Sequence, residues 1–133
     1  MRTTTNHASH AMLGKIATHD LEFLNAPHAF FRAWKRGVEL AGPGLFGKGT
    51  PENLERALSK WDLCPNMDAI IDAIGVMSSG EKVFLAALVS FYNAEEGGAL
   101  LRRVGAYGLA DLGGLDFERR KIIAELMVNY SGW

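Results

Sequence analysis

The sequence is poor in the features that most often betray a function. It holds a single cysteine, Cys64, so no intramolecular disulfide can form and the fold must be held by its core. A net charge of -1 and a pI of about 6.4 withhold the electrostatic footprint of a protein that grips a nucleic-acid backbone. Nucleic acid is therefore not expected as a partner. The most apolar stretch runs from Val83 to Tyr92, about ten residues where a bilayer crossing needs roughly twenty. No basic segment followed by a continuous apolar run opens the chain, and the expectation is a cytoplasmic protein without a membrane partner. Sustained alternation and Asn-Gly or Asp-Gly hairpin signals are missing, which argues against a sheet. No Gly-x-Ser-x-Gly elbow occurs, and Cys64 is followed directly by Pro65, so nucleophilic catalysis has little to build on. His7 and His10 have a spacing that could clip a metal ion on a helix. Neither a cysteine nor a carboxylate accompanies them at ligand spacing, so no metal and no cofactor are expected.

What is present is apolar residue and helix punctuation. The chain of 133 residues is 48% hydrophobic and 22% charged, which fits one folded domain with one core. Its organising stretch begins at Ser78. Ser78 and Glu81 form a capping box, after which the sequence turns apolar on every helical face as far as Tyr92. A helix of that kind is buried on all sides. The predicted fold is all-α, a single-domain orthogonal bundle of about five to six helices around a buried central helix at residues 79–94, with the final helix as its main partner.

Residues 1–10 lack apolar anchors and read as a flexible tail, and residues 11–133 as the helical domain. Helical periodicity over 11–24 is followed by a second start, with Asn25 as N-cap, Pro27 in the first turn and Gly42 as the stop. Phe30, Phe31, Trp34, Val38 and Ala41 share one face of that segment. Thr50 and Pro51 open a helix reaching Trp61, and Asn66 caps another that ends near Met77. Gly97-Gly98 reads as a break, residues 99–107 as a short helix, and Gly113-Gly114 as a second break. Asp116 caps the last helix, whose broad apolar face carries Ile122, Ile123, Leu126, Met127 and Tyr130 and which Gly132 ends.

Two short motifs carry chemical associations. Residues 42–50, Gly-Pro-Gly-Leu-Phe-Gly-Lys-Gly-Thr, resemble the phosphate loop of P-loop NTPases, where backbone N–H groups wrap phosphates and the lysine reaches the terminal ones. Residue 49 is glycine where the general motif has Ser or Thr. Pro51 follows at once, and the preceding segment has helical periodicity where a phosphate loop needs a strand. A plain interhelix loop is the expectation, with Lys48 kept as an anion candidate. Residues 77–82, Met-Ser-Ser-Gly-Glu-Lys, are similar to the signature segment of ABC-type ATPases, which donates helix-start N–H groups to a nucleotide. The capping box accounts for the same residues without a ligand. Ser78, Ser79 and Gly80 are kept as anion or ligand candidates.

No convergent set of reactive groups emerges, so the expected class is a non-enzymatic protein-interaction or regulatory module. The alternative is a small-molecule-binding protein or enzyme with a pocket between helices, in which Tyr92, Tyr107, His28 or Glu81 would serve. Nucleotide or phosphate held at residues 42–50 is one version of that alternative. Apolar stripes rich in aromatics and Met exceed what one modest globule hides, which points to a homodimer or a protein partner. The interface candidates are Phe31 and Trp34, flanked by Arg32 and Lys35, together with Tyr130 and Trp133.

Overall fold

A computed structural model describes the backbone from His7 to Trp133 and side chains from Leu24 onward. Residues 1–6, and the side chains of His7 and His10, lie outside the described part, and with them the expected tail and histidine pair. The described chain is an all-α bundle of six α-helices. These are α1 (His7–Ala41), α2 (Pro51–Arg56), α3 (Met67–Ile74), α4 (Ser79–Tyr92), α5 (Ala94–Arg103) and α6 (Phe117–Asn129). Three short 3-10 turns, at Pro43–Leu45, Lys60–Leu63 and Leu109–Gly114, join them.

The buried centre is α4. Ser78 Oγ accepts from the Glu81 N–H while Glu81 accepts from the Ser78 N–H at 3.0 Å, closing the capping box. From Phe84 to Val89 every residue is buried, and Phe91 with them. The polar residue in the middle of that run, Ser90, turns its hydroxyl back to the Ala87 carbonyl, which disposes of its donor without leaving the helix.

Several expectations need correction. The break foreseen at Asn25 is absent, because α1 runs continuously to Ala41 with Pro27 inside it; a proline removes one backbone bond from a helix and need not end it. Gly97-Gly98 is likewise no break and lies within α5. A Cβ on Gly97 would sit 2.2 Å from Ser90 Cα and 2.4 Å from Ser90 N, so glycine is what lets α5 lie directly on α4. The main partner of α4 is therefore α5, while α6 lies chiefly along α1. That second pair is antiparallel, tied by an Arg36–Glu125 ion pair at one level and by Phe30 against Tyr130 at another.

The turn between α4 and α5 is a single residue. Asn93 gives its N–H to the Val89 carbonyl at the end of α4, and its Oδ1 accepts the Glu96 N–H at 2.9 Å at the start of α5. Across the bundle, Trp34 of α1 is fully buried and donates its indole N–H to the Leu63 carbonyl at 2.9 Å. This bond fixes the Lys60–Leu63 turn on α1. The helix foreseen from residue 51 to Trp61 stops at Arg56 because Asp62 takes the Leu58 and Ser59 N–H groups and starts that turn instead.

Adding a methyl at Gly97 must push α5 off α4, since the obstructing atoms are backbone. Gly97→Ala is expected to cost about 1–3 kcal/mol, the usual range for overpacking, read as a lower urea midpoint. An unchanged midpoint would mean that the α4–α5 contact is looser than described.

Candidate functional site

The loop at residues 42–50 folds around its own hydrogen bonds. The Gly47 N–H donates to the Cys64 carbonyl at 2.8 Å, the Gly49 N–H to the Phe46 carbonyl at 2.9 Å, and the Lys48 N–H to Asn53 Oδ1 at 2.9 Å. Phe46 pairs with Pro65 in an isolated bridge. The N–H groups that a phosphate loop would turn toward its ligand are thus spent on the protein. Gly47 has φ +58°, and a Cβ there would lie 2.2 Å from Asn53 Oδ1 and 2.3 Å from the Asp62 carbonyl oxygen. The glycine spacing is explained by the turn itself. Lys48 is exposed beside it.

At the start of α4, Ser78 is engaged in the cap, and Ser79 lines a depression of about 230 Å³ with Lys82 and Arg103. Glu81 caps the helix and does not face a reactive neighbour; its hydrogen bonds with Ser78, aided by the Arg119 charge, hold its carboxyl below the ordinary value. Asp116 is alike: bonds from the backbone and side chain of Arg119 hold it low, and the Arg119 guanidinium lies over the Phe84 ring at 5.5 Å. A carboxylate with a lowered folded pKa contributes stability that is complete above its unfolded pKa and is lost as pH falls through the folded value. Between roughly pH 4.5 and 2 the melting temperature of the Glu81→Gln/Asp116→Asn variant should therefore fall less steeply than that of the wild type. Equal acid slopes would show that the two caps do not titrate as described.

The expected interface candidates divide. Trp34 is wholly internal, which corrects its place among the interface candidates. Trp133 is drawn in as well. After α6 ends, residues 130–133 cross the bundle without regular structure, Gly132 at φ +100°, and the Trp133 ring sits 4.8 Å from Trp34, 5.1 Å from Tyr92, 5.8 Å from Trp61 and 6.0 Å from Phe30. Lys60 fastens the segment, donating from Nζ to the Gly132 carbonyl at 2.7 Å with its ammonium 5.0 Å from the centre of the Trp133 ring. Partial burial lowers the Lys60 pKa. Tyr130 packs on Phe30 and Phe91 and is still 43% exposed. Phe31 is half-buried under Lys35, and Arg32 is exposed on the same helix.

Cys64 lies beside this cluster, donating to the Trp61 carbonyl at 3.3 Å. Burial pushes its thiol up, against a smaller opposing pull from the Trp133 side chain, so the thiolate needed for nucleophilic chemistry is disfavoured. Trp133→Ala removes the piece that four other aromatic rings pack against and should cost about 3–5 kcal/mol, as for other large aromatics in a core. Urea unfolding checks it, and a loss near zero would make the segment an ornament.

Large apolar side chains do remain in water, on another side of the bundle. Gly105, at φ +85°, ends α5; the Ala106 N–H returns to the Leu101 carbonyl at 2.8 Å and the chain reverses. Asp111 then accepts from the N–H groups of both Tyr107 and Gly108, at 2.7 and 3.0 Å. The effect of this bonding is to hold Tyr107 and Leu109 outward at 78% and 80% exposure. Opposite them stands α6, with Ile123 and Met127. Between the two walls lies an apolar groove of about 270 Å³, floored by Ala87, Ser90 and Phe91 of α4. None of the sequence-level interface residues lines it. The signal available was the composition of α6, whose apolar residues spread well beyond one face and leave only the side of Glu118, Lys121, Glu125 and Asn129 polar.

No family model matches the chain. Neither the curated proteins nor the solved structures contain a match to it. Among the described residues no three His, Cys, Asp or Glu side chains gather as a metal site, and no helix is long and apolar enough to cross a membrane. The four candidate polar residues of the pocket alternative are placed apart: Glu81 in a helix cap, Tyr92 against Trp133, Tyr107 on the groove rim, and His28 exposed on α1.

Proposed function

We propose that this chain is a non-enzymatic binding module whose working surface is the groove between Tyr107-Leu109 and α6, together with the outer face of α6. The observation that carries this reading is the distribution of apolar residues around α6. Ile122 and Leu126 face the core and are buried, Ile123 and Met127 face the groove, and Phe117, Ala124 and Val128 recur at i, i+7 and i+11 on the outside. The apolar surface of α6 thus extends past the core-facing stripe over the groove side and the outside, while Glu118, Lys121, Glu125 and Asn129 make the remaining side polar, and an apolar surface of that width is built to be covered. Within the chain only its inner half is.

The rim supports the same reading. Asp111 fixes Tyr107 and Leu109 outward before any partner arrives, and such preorganisation removes part of the entropic cost of binding. Exposed Tyr and Met are characteristic of interface cores. A groove walled by Leu101, Leu112, Ile123 and Met127, with the Ser90 hydroxyl already committed to Ala87, offers little to orient a polar substrate. The fitting partner is protein, presenting an apolar helical ridge. A single cysteine without a disulfide partner suits a reducing, cytoplasmic setting.

Selection from a displayed library of helical peptides tests the proposal. Amphipathic sequences should be enriched, and their binding should fall at least tenfold in Leu109→Asp and in Met127→Asp while both variants keep the wild-type helical circular dichroism. Peptides that bind both variants as well as the wild type would move the working surface elsewhere and overturn the reading.

A further inference from the structure

We propose that the occupant of this face is a second copy of the same chain, in a two-fold pair that sets the outer ridge of α6 from each protomer into the groove of the other. The inference rests on the α6 face being the working surface and adds what sits on it.

A two-fold interface has one geometric requirement: the same patch must be complementary to itself. Here a depression and a ridge lie side by side. The groove of about 270 Å³ has Ile123 and Met127 as one wall. The ridge of Phe117, Ala124 and Val128 runs along the outside of the same helix. Because α6 is at once the wall of the groove and the bearer of the ridge, a two-fold rotation beside it brings each ridge opposite the other copy's groove. An unrelated partner would have to supply the ridge and ignore the one already there.

The exposed area is of the right size. Tyr107, Leu109, Phe117, Met127 and Val128 are 78%, 80%, 79%, 59% and 81% exposed. At roughly 150–200 Å² for a fully exposed side chain of this kind, that leaves on the order of 600 Å² of large apolar side chain in water. A monomer normally shows a few hundred Å² in one patch, and a standard interface takes about 800 Å² from each partner. The groove floor and Ala124 supply much of the difference. The charged residues on this side of α6 are Arg120 and the exposed Lys121, the latter one turn after Phe117 on the ridge itself. Arg120, on the groove side of α6, is bonded to the Leu115 and Gly113 carbonyls of its own chain, and each copy carries a net charge of -1.

Light scattering behind size exclusion, with the full chain at tens of micromolar, decides the matter. The wild type should give twice the 14.5 kDa of one chain, and Val128→Glu and Met127→Glu should each return it to the single mass with helical circular dichroism unchanged. Val128 and Met127 are exposed within the chain, so folding is not at risk; Arg32→Glu, on α1, serves as the control and should remain paired. A wild type of single mass overturns the pair, and if helical peptides still bind at Leu109 and Met127 the binding-module reading survives that failure. A double mass that persists in both α6 variants would also overturn it, by placing the contact elsewhere.

Discussion

Because α4 is apolar on every side, no single neighbour can satisfy it, and the rest of the bundle is arranged as its covers. The capping box at Ser78 starts the helix and Asn93 stops it; between them every residue from Phe84 to Val89 is buried. α1 and α6 supply one cover as an antiparallel pair, and Gly37 of α1 comes so near that a Cβ there would touch Leu88 at 3.1 Å. α5 supplies another through Gly97. The Leu109–Gly114 turn closes part of what is left. Burial of this kind is non-directional, so what fixes the arrangement is the set of close approaches that only glycine permits.

Much of this was legible in the residues. The Ser78/Glu81 box, the caps at Thr50, Asn66 and Asp116 and the buried run in α4 all follow from local rules, and the helices they imply are present. What could not be read was glycine used for proximity. Gly97-Gly98 looks like a break because glycine lowers helix propensity by about 1 kcal/mol, yet the contact with Ser90 needs the missing side chain. The same limit applies to the aromatic residues: sequence shows that Trp34 and Trp133 are large and apolar, but whether they complete the core or project from it depends on which helices meet there.

The candidate site was less legible than the fold for a related reason. Surplus apolar surface could be counted from composition, and the count does not depend on structure. Its location does. Phe30, Trp34 and Trp133 meet Tyr92 within the bundle, with Tyr130 and the exposed Trp61 packed at its margin, and of the exposed apolar residues, which include Leu58 and Val76 elsewhere, those that line the apolar groove belong to α6 and the turn at Tyr107. The two motifs with nucleotide associations resolve into turn chemistry, in one case a set of internal N–H donations and in the other a helix cap.

Asn93 has a mechanical meaning beyond capping. Since one residue ends α4 and begins α5, the two helices share a joint with no slack, and Gly97 clamps them together one turn later. α5 is therefore a strut rooted in the buried centre, and the turn that carries Tyr107 and Leu109 is mounted on its far end. A movement of the groove rim relative to α6 must then be transmitted to, or from, the packing around Ser90 and Ala87. An exposed rim is, by this linkage, positioned from the interior of the bundle.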